Sequence, residues 1–159
     1  MFRPKVLAAV LNEANESSTS VETGGNNRGS SSGDSFTLLL NREGALLAAS
    51  APQNSATPNS MANQQPRVVS AIVSTVWALA SQNIAALEAD PLYVLIVDCE
   101  QARIAITSVG HGGLLLCMYC STRGNPASQL PPLGMLKVKL DALKQHLDEP
   151  LSQIATTVA

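Results

Sequence analysis

With 159 residues, 45% hydrophobic and only 14% charged, the sequence has material for one core and fewer charges than an ordinary soluble surface carries, so part of its surface is expected to be covered. The formal net charge is -2 and the ten Lys and Arg residues stand singly, which excludes the basic patch that nucleic acid or anionic lipid requires. No apolar stretch with a cleavage site opens the chain, Phe2 stands where myristoylation needs glycine, and no prenylation box closes it; the expectation is a cytosolic protein that meets membranes only indirectly.

Residues 3 to 15 place Val6, Leu7, Val10, Leu11 and Ala14 on one stripe after Pro4, the pattern of a short amphipathic helix. Residues 16 to 34 are Gly, Ser and Asn rich and read as a disordered tether. Phe36 to Asn41 and Ala45 to Ser50 form a hairpin around Arg42, Glu43 and Gly44, and their near-continuous Leu and Ala predict helices on both faces of the sheet. A second loop, residues 51 to 65, precedes the main helix over 66 to 83.

Half of that helix (Val68, Val69, Ile72, Val73, Val76, Trp77, Leu79, Ala80) is expected to face the sheet. The other half (Ser70, Ala71, Ser74, Thr75, Ala78, Ser81) is small and uncharged, and no charge occurs between Arg67 and Glu88. Such a face suits the close approach of another helix, whereas the interspersed Ser, Thr, Gln and Asn argue against a membrane span. Leu92 to Cys99, Arg103 to Val109 and Leu114 to Cys120 then form a three-stranded meander. A last helix spans Gly134 to Leu147, with Leu136, Leu140, Leu143 and Leu147 inward and Lys137, Asp141, Lys144 and Asp148 pairing outside; Pro150 is expected to end it and to start a short tail helix.

No catalytic constellation emerges. Cys117 and Cys120 have redox or zinc spacing, but residues three apart on a strand point to opposite faces, and no second pair completes a site. The odd cysteine count suits free, packed thiols in a reducing compartment. His111 and His146 read as loop and surface residues, while Asp90, Asp98 and Glu100 lack a cation-loop pattern. Gly110, Gly112 and Gly113 precede no helix start and make no phosphate loop. The expectation is a non-enzyme without cofactor or metal.

The order of elements and many segments resemble the roadblock family. The resemblance runs through Arg3, Pro4, Lys5 and Leu11; TLLLN from Thr37 with Glu43, Gly44 and Leu46; and Arg67, Val68, Ala71, Ile72, Trp77 and Ala78. It continues through Asp98, Cys99, Arg103, Ala105, Ile106 and Thr107, LLLCMY from Leu114, GMLK from Gly134 and EPL from Glu149. Within the family, the sequence looks most like the subunit of the Ragulator (LAMTOR) scaffold that pairs with the MAPK-scaffold roadblock subunit. It departs from that pattern in the insertions 16 to 34 and 51 to 65, at Cys120 and around Pro126.

The resemblance implies an α/β, profilin-like sandwich: a five-stranded antiparallel sheet with one helix on one face and two on the other. It implies a heterodimer in which central helices pair and third strands meet edge to edge. The candidate interface is Ser70, Ser74, Trp77, Ala78 and Ser81 on the helix with Tyr93, Val94 and Leu95 on the strand. It further implies partners: the MAPK-scaffold roadblock subunit, a lipidated wrapping Ragulator subunit and Rag-type GTPases, met on the cytoplasmic face of the late endosome or lysosome in amino-acid signalling to mTOR. The rival expectation is a stand-alone roadblock regulator of small-GTPase nucleotide turnover.

Overall fold

The computed structural model describes Ala9, Leu11, Asn12 and residues 35–50, 65–87, 90–111, 113–122 and 130–158, with side chains up to Leu151. The segment 16 to 34 expected as a tether, nearly all of the segment 51 to 65 expected as a loop and most of the helix expected over 3 to 15 lie outside these residues. So do the side chains of the tail.

The first hairpin pairs β1 (Ser35–Asn41) with β2 (Leu46–Ala49). The Asn41 side-chain oxygen accepts hydrogen bonds from the Glu43 and Ala45 amides at 3.1 and 2.8 Å, and Gly44 takes φ +88°, a left-handed turn that glycine adopts without a Cβ penalty. The other end is closed by Ser50, whose Oγ accepts the Thr37 amide at 2.7 Å while its own amide donates to the Thr37 carbonyl.

After α1 (Gln65–Ala86) come β3 (Val94–Asp98), β4 (Ala102–Val109) and β5 (Leu114–Ser121). The sheet is antiparallel throughout in the order β2-β1-β5-β4-β3, which leaves β2 and β3 at its edges.

Successive side chains of β1 and β5 alternate between two cores, as the period-two geometry of a strand requires. Phe36, Leu38, Leu40, Ile106, Leu115 and Cys117 meet Val69, Val73 and Trp77 of α1 on one face. Leu39, Ala105, Val109, Leu116, Met118 and Cys120 meet the other helix, α2 (Leu133–Val158), through Leu136, Leu140, Leu143, Leu147 and Leu151, joined by Leu11. The continuous Leu runs are therefore buried on both sides, as expected. By length and composition α1 could cross a membrane; in this fold its Val69, Val73 and Trp77 pack on the sheet while Val68, Ile72 and Leu79 face outward.

Two expectations for α2 are corrected. Pro150 lies inside a single helix rather than ending one. Proline in a helix interior costs about 3 kcal/mol, and the buried stripe that runs on from Leu147 to Leu151 offsets this at roughly 1.5–3 kcal/mol per leucine. Lys137 does pair with Asp141 at 2.8 Å, whereas Lys144 and Asp148 reach the sheet. Lys144 Nζ donates to the Ser108 carbonyl at 2.9 Å, and Asp148 accepts the Gly110 amide at 3.0 Å. Both tie α2 to the end of β4, where Gly110 and His111 are successively left-handed.

Candidate functional site

Among the described residues, the polar groups that chemistry would need are dispersed. Cys117 lies in the α1-facing core and Cys120 in the α2-facing core, so the pair cannot act together. Burial pushes both thiols up, Cys117 well beyond the range in which a thiolate forms; at Cys120 the nearby Lys139 opposes burial only in part. Cys99 is exposed just past β3, and His111 and His146 are exposed on different elements. Asp98 is engaged by Arg103 Nε at 2.7 Å, and the same guanidinium donates to the Pro131 carbonyl, tying the β3–β4 hairpin to the start of α2. Among the described residues no three His, Cys, Asp or Glu side chains come together as a metal site.

The eight candidate interface residues divide into two groups. Ser70, Ser74 and Trp77 are 3%, 7% and 7% exposed, buried against this chain's own sheet rather than presented to a partner. Conversely Val68, Ile72 and Leu79, expected inward, are 58%, 49% and 56% exposed, and Val76 is only half-buried. The helix is thus rolled about its axis relative to the expected orientation.

The cause is the first hairpin. A Cβ added at Gly44 would meet Ser74 Oγ at 2.6 Å and the Ser70 carbonyl at 3.6 Å, so only small side chains fit where α1 crosses the β1–β2 turn. Both serines satisfy their hydroxyls within the helix, Ser70 to the Arg67 carbonyl at 2.8 Å and Ser74 to the Ala71 carbonyl at 3.0 Å, and so are buried without an orphaned donor. Small residues do permit a close approach, but of the domain's own hairpin.

The second group lies at the open edge of the sheet. Tyr93 is 67% exposed, its carbonyl held by Thr107 Oγ1 at 2.8 Å, and it leads into β3, whose Val94, Leu95, Ile96 and Val97 are half-buried. Among the described residues β3 pairs only with β4, leaving a short apolar edge with backbone groups free to pair. An open groove of about 650 Å³ separates Tyr93 from the C-terminal half of α1 and is lined by Ala78, Ser81, Gln82 and Ala85. A second groove, of about 640 Å³, flanks Tyr93 and Val94 on the α2 side, with Lys137, Asp141 and Lys144 on its wall.

Ala78, Ser81 and Tyr93 therefore line one groove, Val94 lines the other and Leu95 packs on the α1-facing core, so that the uncharged helix flank faces Tyr93 at the start of a free apolar strand edge. Ala71, Ala78 and Ala85, seven residues apart and all exposed, extend that flank. Their spacing was visible in the sequence and marks the side of α1 that a helix can approach closely.

Residues 30–119 match the family model of the Roadblock/LC7 domain. Among solved structures the chain is similar to MglB of Myxococcus xanthus, at 12% identity and a TM-score of 0.63 over 100% of this chain and 96% of that one. It is also similar to an MglB with a tetrameric arrangement, at 19% identity and a TM-score of 0.58 over 94% of this chain and 93% of that one. A Roadblock/LC7 domain from Streptomyces avermitilis matches at 12% identity and a TM-score of 0.55, over 73% and 83% of the two chains.

Proposed function

The chain belongs to the Roadblock/LC7 domain family, and from that premise we propose that it is a non-catalytic scaffold subunit of a Ragulator-type complex. It forms a heterodimer with the MAPK-scaffold roadblock subunit. The pair docks Rag-type small GTPases on the cytoplasmic face of the late endosome or lysosome, in amino-acid signalling to mTOR, and a lipidated wrapping subunit supplies the membrane anchor.

The observation that carries this reading is the juxtaposition of the free β3 edge with the Ala78–Ala85 flank of α1. A partner strand added to β3 completes the ladder, and a partner helix beside α1 covers the uncharged flank, so a second roadblock domain answers both needs at once. The dispersal of the thiols, imidazoles and carboxylates supports a binding role. The segment-by-segment resemblance described above is what points to the Ragulator subunit within the family.

Affinity purification of the tagged chain, with identification of co-purifying subunits, tests the assignment. Recovery of the MAPK-scaffold roadblock and wrapping subunits is the expected result; their absence would overturn it. The rival reading, a regulator of nucleotide turnover, is separated by GTP hydrolysis: the scaffold reading expects the purified chain to leave the rate of a small GTPase unchanged.

A further inference from the structure

We draw no further inference here: the strongest candidate, the exposed apolar stripe on the outward face of the central helix along Val68, Ile72 and Leu79, carries nothing because nothing in the structure shows what covers it.

Discussion

Gly44 and Ser74 are in contact across the hairpin and the central helix: a Cβ on the glycine would lie 2.6 Å from the serine Oγ, and the glycine's φ of +88° independently disfavours any other residue. This contact sets which face of α1 looks inward. Gly44→Ala is expected to destabilise the domain by about 1–2 kcal/mol from the left-handed backbone alone, with more from the clash. Ser74→Ala in the same chain should recover part of that loss, since it removes the Oγ. A double-mutant cycle by denaturant titration measures the coupling; strict additivity would show that the two residues do not set the helix position.

The same contact reverses an expectation about substitution. A charge at position 74, opposite the supposed core side of the helix, would be expected to spare folding. With Ser74 buried, Ser74→Arg instead places an unpaired charge in the core, a penalty of about 3–5 kcal/mol against a total stability of about 5–15. Leu79→Arg, on the outward face, should leave stability within about 0.5 kcal/mol. Circular dichroism melts of the two variants check this; equal melting temperatures would contradict the orientation.

The elements, the first hairpin and the meander were legible because the Leu runs, the Arg42-Glu43-Gly44 turn and the Leu136 to Leu147 stripe each follow one period, whereas the β1–β5 pairing that joins hairpin and meander into one sheet links segments far apart in the chain and leaves no local signal. The roll of α1 was not legible. Both its halves lack charge, so hydropathy cannot choose between Val68, Ile72 and Leu79 on one side and Ser70 and Ser74 on the other, and the choice falls to a tertiary contact with Gly44. Serine also bonds to its own helix backbone, which removes the usual cost of burying it. Pro150 misled for a similar reason, because its local helix-breaking tendency competes with a leucine stripe that runs on to Leu151. Of the candidate interface, the β3 segment was legible as an apolar strand, whereas Ser70 and Ser74, expected on the outward half of the helix, are buried, and Trp77 packs on the sheet as its place in the apolar stripe implied.

Asp148 of α2 accepts the Gly110 amide at 3.0 Å, so Asp148→Ala should leave that donor unmet and cost about 1–2 kcal/mol. Asp148→Asn keeps an acceptor and should restore most of the loss. His111, left-handed at φ 57°, pays a steric cost that glycine does not, so His111→Gly is expected to stabilise by about 0.5–1 kcal/mol. Thermal melts of the three variants report these differences, and a destabilising His111→Gly would point to a side-chain role for the imidazole.

The thiols give a chemical check. An aromatic disulfide reagent should titrate Cys99 rapidly in the folded protein and all three cysteines only after unfolding. Burial raises the folded-state values of Cys117 and Cys120 above the ordinary 9.0, so the folded state holds protons that the unfolded state releases. Their contribution is full below pH 9.0 and is lost as pH rises through the folded values, so stability should fall on the alkaline side. Cys117→Ala should flatten that fall while lowering stability at neutral pH through the cavity it leaves. An alkaline profile unchanged by the substitution would contradict this account of the buried thiol.

In the proposed heterodimer the β3 edge and the Ala78 flank of α1 together receive a second roadblock domain. The most direct test is co-expression with the MAPK-scaffold roadblock subunit, followed by size exclusion with light scattering, for the wild type and for Ala78→Arg. A single 1:1 heterodimer is expected for the wild type. The variant is expected to keep its circular dichroism and no longer pair, because Ala78 is exposed and a long cation there blocks the helix approach without touching the core. A wild-type chain that stays a monodisperse monomer beside its partner, or a variant that pairs as the wild type does, would contradict this pairing.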